Sequence, residues 1–85
     1  MFYKITRITD LKGKDKVDDK ALGRIDRVMD INPENIYLDR SLCMVCAKPG
    51  ILKSLTTSRV KKFKATKNEL VITTENSIYY LTRER

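Results

Sequence analysis

An 85-residue chain has room for one hydrophobic core and no second domain, and at this length it buries only roughly 60–65% of the surface it exposes when unfolded. With 41% hydrophobic and 34% charged residues it is too apolar to be disordered throughout and too charged for a membrane protein. Its longest apolar run, Leu42 to Ala47, is far short of the ~20 residues a membrane helix needs.

The opening Met1-Phe2-Tyr3-Lys4-Ile5-Thr6-Arg7 alternates apolar and polar side chains, which predicts a strand over residues 2–8. It lacks the continuous apolar stretch of a secretory leader, so the expected compartment is the cytoplasm. Residues 9–20 read as a long charged loop, in which Lys12-Gly13-Lys14-Asp15-Lys16 mixes signs without periodicity. From Val17 to Met29 two patterns compete. Val17, Ala21, Leu22, Ile25, Val28 and Met29 fit a helical stripe that Asp15 or Asp18 would cap. Gly23, and an alternation through Ile25, Met29 and Ile31 that only Arg27 interrupts, favour a strand over residues 24–31. One short helix stays open.

Turn chemistry organises the rest. Pro33-Glu34-Asn35, Thr66-Lys67-Asn68 and Thr74-Glu75-Asn76 each end in Asn between apolar or β-branched runs, the pattern of a three-residue hairpin loop with Asn at positive φ. Lys48-Pro49-Gly50 has the order of a type II turn. Strands are expected near residues 36–47, 51–57, 59–65, 69–74 and 77–82, and residues 51–65 form either one bent strand or two joined at Thr56-Thr57-Ser58. A bulge near Lys61-Lys62 would let Val60 and Phe63, three apart, both face the core. The expected architecture is mostly β: a small antiparallel meander over residues 1–85, closed into a barrel (SH3-like) or a strongly bent sheet, because closure removes exposed edges.

Cys43 and Cys46 have Cys-x-x-Cys spacing, but a closed zinc site wants four ligands and the chain has no histidine and no third cysteine. Within a strand the two thiols lie about 10 Å apart on opposite faces, too far for a disulfide. They are expected to be buried, reduced and structural. Asp26, Asp30, Glu34 and Asp39 cluster around Pro33 and are expected to form surface ion pairs with Arg24, Arg27 and Arg40 rather than to hold a metal. Without histidine as a base near neutral pH, and with its three glycines isolated, the chain is not expected to be an enzyme, to need a cofactor or to take a small-molecule substrate.

Charge placement is the strongest functional signal. Residues 48–68 carry seven cations and no acidic residue, which matches the whole net charge of +7. Lys48, Lys53, Arg59, Lys61, Lys62, Lys64 and Lys67 are therefore candidate nucleic-acid contacts. The competing explanation is a lysine-decorated strand that resists edge pairing. Lysine dominates over arginine, which suits phosphate rather than base contacts. The last strand is apolar on both faces, as is its neighbour. Val71, Tyr79 and Leu81 are accordingly candidate interface residues, covered by a second molecule or by the N-terminal strand.

The stretch Thr57-Ser58-Arg59-Val60, together with Val71-Ile72-Thr73-Thr74-Glu75-Asn76-Ser77-Ile78-Tyr79-Tyr80-Leu81, resembles that of short uncharacterised proteins from Gram-positive bacteria and their phages. The resemblance covers about a third of the chain. It implies a small β-domain in a bacterial or mobile-element setting and transfers no functional residues. Two expectations result: a non-catalytic module for protein interaction or self-association, or a nonspecific nucleic-acid binder using the 48–68 face.

Overall fold

The computed structural model describes residues 1–47 and 54–84. Six antiparallel strands run in chain order around a closed barrel: β1 (Phe2–Thr9), β2 (Val28–Asp30), β3 (Ser41–Cys46), β4 (Ser54–Ala65), β5 (Glu69–Thr74) and β6 (Ile78–Glu84). Pairing of β1 with β6, from Phe2↔Glu84 to Thr9↔Ile78, closes the ring and leaves neither strand as a free edge. Among the described residues no helix is long and apolar enough to cross a membrane.

Alternation sets the core. Met29 of β2, Met44 of β3, Leu55 of β4, Leu70 and Ile72 of β5, and Leu81 of β6 all point inward and are buried. Ile5 and Ile8 of β1 are three apart yet both buried, because the register shifts by one residue between Ile5 and Arg7. Thr6 is the extra residue there, and its hydroxyl donates to Tyr80 O at 3.1 Å.

The long strand β4 is a single bent strand, the first of the two arrangements the sequence allowed. Two bulges bend it. One lies opposite Leu42, where the pairing slips between Ser41↔Arg59 and Cys43↔Thr56, and Thr57 Oγ1 accepts the Leu42 N–H at 3.1 Å. The other falls between Val60 and Lys62, as expected from the sequence. The first half of β4 thus pairs with β3 and the second half with β5. Phe63 does not reach the core as expected: it pairs with buried Ile72 but is 37% exposed.

Residues 9–27 depart most from expectation. The charged loop is ordered by Asp10, whose Oδ1 accepts N–H groups of Lys12 and Lys14 at 2.9 and 3.0 Å, with Gly13 in the left-handed region (φ 89°). A bridge between Thr9 and Asp15 ties the loop back to β1. A single helical turn α1 (Asp19–Leu22) comes next, capped by Asp18 through Ala21 N. The strand expected over residues 24–31 shrinks to β2 because Asp26 sits at φ 70° and breaks the extended run, although Ile5 still bonds Arg27 O and Asp26 N.

Two further corrections concern turns and charges. Pro33–Asn35 is one turn of 3-10 helix capped by Asn32, and Asp39 (φ 61°) delays β3 until Ser41, so no strand begins at residue 36. Asn35, Asn68 and Asn76 are not at positive φ, so the asparagine mechanism fails for all three. The carboxylates near Pro33 pair with other partners than the arginines: Asp30 with the N-terminal amine, Asp26 with Lys4 and Asp39 with Lys61. Cys43 is exposed rather than buried, whereas Cys46 faces inward against the core, and both are free thiols.

Candidate nucleic-acid interface

Register decides which cations share a surface. Residues paired across antiparallel strands point to the same side, so each pairing extends a row across the barrel wall. Lys64 pairs with Val71, Val71 with Tyr80, and Tyr80 with Arg7. The row runs across four strands, three steps of ~4.8 Å, about 14 Å in all. Beside it lies Lys62 paired with Thr73, and Thr73 with Ile78. On the other side Thr82 pairs with both Lys4 and Glu69.

This outer face therefore carries Lys62 and Lys64 along one margin, Arg7 and Lys4 along the other, and the half-buried Tyr80 between them. A shallow groove of about 180 Å3 follows the ring and is walled by Thr6, Arg7, Glu69, Val71 and Thr82. The Arg7 guanidinium lies 5.4 Å from the Tyr80 ring centroid, within cation–π range. It also pairs with Asp15, whose hydrogen bond and charge raise the arginine above its ordinary pKa. Arg7 is thus fixed against Tyr80 from the loop side. Lys62 and Lys64 are exposed and make no ion pair among the described residues.

Of the seven cations expected to act together, the five that lie among the described residues do not form one patch. Lys62 and Lys64 share the Tyr80 face. Lys61 is the bulged residue and is paired with Asp39 at 3.1 Å. Arg59 is exposed at the junction of the two halves of β4, where its own N–H donates to Glu75 Oε1. Lys67 occupies the β4–β5 turn, and Lys48 and Lys53, with the Lys48-Pro49-Gly50 turn, lie outside the described residues.

Of the expected interface residues, Tyr79 (4% exposed) and Leu81 (2%) are in the core, paired with Ile72 and Leu70. They face the barrel interior, covered by the chain itself, and are not available to a partner. Val71 belongs to the opposite, outer side with Tyr80. Grouping Val71 with Tyr79 assumed a register one residue off, and a slip of one reverses every side chain. Arg7, Lys4 and Tyr80 were missed for a related reason. The Ile5/Ile8 spacing signals a bulge at Thr6, and only that bulge puts Arg7 opposite Tyr80.

A scan against protein-family models, a search of curated proteins and a search of solved structures each return no significant match. Among the described residues no group of three or more His, Cys, Asp or Glu side chains is placed to hold a metal ion.

Proposed function

We propose that this barrel is a non-catalytic module that binds nucleic acid without sequence preference through its outer β1–β6–β5–β4 face. The observation that carries this reading is the row Arg7–Tyr80–Val71–Lys64 with Lys62 beside it, cations flanking an aromatic ring on an open sheet surface. Unpaired lysines neutralise phosphates and release counterions, while a half-buried aromatic ring between the cations offers unstacked bases a sequence-tolerant stacking contact. The predominance of lysine fits backbone contacts rather than base reading. The two free cysteines suit a reducing compartment, and we place the protein in the cytoplasm on that ground.

The test is a gel-shift and anisotropy series with single- and double-stranded DNA and RNA at two ionic strengths, using the wild-type chain and a Lys62→Glu/Lys64→Glu variant. Binding at low salt that weakens steeply with added salt and is lost in the variant supports the reading. No retardation of any nucleic acid at low salt overturns it.

A second reading, docking of a protein partner or self-association, is favoured by one observation. Adjacent Tyr37 and Leu38 are each 58% exposed on the segment that Asp39 N ties to Val60 O. Light scattering at high micromolar concentration tests its self-association form, which a strict monomer removes.

A further inference from the structure

A second concave site lies at the end of the barrel where the charged loop and α1 cross over the β5–β6 turn. The pocket has a volume of about 200 Å3. Three cations converge on it, Lys16, Lys20 and Arg24, against a single carboxylate, Asp18. Asp18 is committed to the backbone, since its Oδ2 accepts the Ala21 N–H at 3.3 Å. None of the three cations makes an ion pair among the described residues.

Two of these cations are half-buried and held in place by neutral hydroxyls. Lys16 Nζ donates to Ser77 Oγ at 2.7 Å, and Arg24 Nη1 donates to Tyr79 OH at 3.1 Å. Each keeps further donors: an ammonium has three and a guanidinium five. Thr56, Ser58 and Asn76 complete the polar lining. Three cations outnumber the one carboxylate in this lining, which leaves an excess of half-buried positive charge that is unfavourable and concentrates positive potential in the concavity. An anion offsets both effects.

We propose that this pocket is a binding site for a phosphomonoester group, held by Lys16 and Arg24 with Lys20 at the rim and the hydroxyls as additional donors. The volume selects the size of ligand. At about 200 Å3 it is below the ~300 Å3 at which pockets for drug-sized molecules begin, so it admits the phosphoryl group and leaves the remainder of a larger molecule outside. The site is separate from the Tyr80 face, because its lining includes Tyr79, which points to the opposite side of β6 from Tyr80.

The test is a chemical-shift titration of the full-length, nitrogen-15-labelled chain with inorganic phosphate. Saturable shifts centred on Lys16, Arg24, Ser58 and Ser77 are expected. Arg24→Gln and, separately, Lys16→Gln should each weaken binding about tenfold, the effect of one charged hydrogen bond, with the rest of the spectrum certifying the fold. The Lys62→Glu/Lys64→Glu variant should titrate like wild type, so failure of the nucleic-acid reading leaves this result untouched. A dinucleotide with a 5′-phosphate is compared with its 5′-hydroxyl form and with free phosphate. Tighter binding of the phosphorylated dinucleotide marks a terminal phosphate as the ligand, and equal affinity for free phosphate marks the anion itself. Absence of saturable shifts, or shifts that persist unchanged in both single variants, overturns the proposal.

Discussion

Thr74 and Ser77 close the β5–β6 hairpin through a side chain: Thr74 Oγ1 donates to Ser77 O at 3.1 Å and accepts the Ser77 N–H at 3.1 Å. Thr66 and Glu69 repeat the arrangement at the β4–β5 turn, with distances of 3.4 and 3.1 Å. In each case the threonine hydroxyl takes the place of a backbone carbonyl as acceptor. Thr74 is buried and Thr66 exposed, which separates the two in consequence. Thr74→Val leaves a buried N–H without its partner and should lower unfolding free energy by about 1–3 kcal/mol. Thr66→Val, open to water, should cost less than about 1 kcal/mol. Chemical denaturation of the two variants measures the difference, and equal losses would show that burial does not set the cost.

The sequence made the hairpins at residues 66–69 and 74–77 visible, but for the wrong atom. Both read Thr-x-Asn, and the asparagine was the residue with a known preference for turns, whereas the threonine makes the bonds. The antiparallel meander was legible because buried and more exposed residues alternate along β3, β5 and the first half of β6, whereas the strands expected over residues 24–31 and 36–47 shortened to β2 and β3. Side assignment was less so. The barrel places one extra residue at Thr6, one opposite Leu42 and one at Lys61, and each reverses the parity of the strand residues beyond it. Only the last was anticipated. The Tyr80 face and the pocket beside Lys16 depend on pairing between residues more than fifty apart in sequence, which no local pattern carries.

Asp10 links the charged loop to acid stability. The Lys14 N–H is the main cause that holds its carboxyl below the ordinary aspartate value, with the Lys12 N–H adding to it against the effect of desolvation. A depressed folded-state value means that the carboxylate favours the folded loop, fully so above the unfolded value of about 3.9. That contribution is lost as pH falls through the lower folded value. Amide protection factors, with the intrinsic pH dependence of exchange divided out, and chemical shifts of Lys12, Gly13 and Lys14 should stay constant from neutral pH to about 4 and change below it. Asp10→Asn should abolish this acid step, and an unaltered step in that variant would assign it to another group.

The two thiols should differ in reactivity. Cys43 pairs with Thr56 on the outside of the barrel, and Cys46 pairs with buried Met29 on the inside. Alkylation of the native protein should proceed rapidly at Cys43 and slowly at Cys46, with both modified at similar rates once unfolded. Mild oxidation should give disulfide-linked dimers through Cys43 rather than an internal bridge, since opposite faces of one strand cannot be joined within ~7 Å. Peptide mapping after each treatment identifies the sulfur involved.

The outer face makes separable predictions for its lysines and its ring. Each phosphate neutralised on a single strand contributes roughly −0.7 to the slope of log affinity against log salt. Changing Lys62 and Lys64 to Gln should therefore flatten that slope by roughly 1.4 if each meets one phosphate. Tyr80→Leu keeps an apolar side chain between Arg7 and Val71 but removes the ring. If Tyr80 stacks on a base, this variant should weaken single-strand binding by about 1–3 kcal/mol while leaving the salt slope unchanged. Duplex, whose bases stay stacked on each other, should bind the variant and the wild type alike. Anisotropy titrations across several salt concentrations resolve slope from intercept, and an equal loss on duplex would show that the ring supports the shape of the face rather than touching bases.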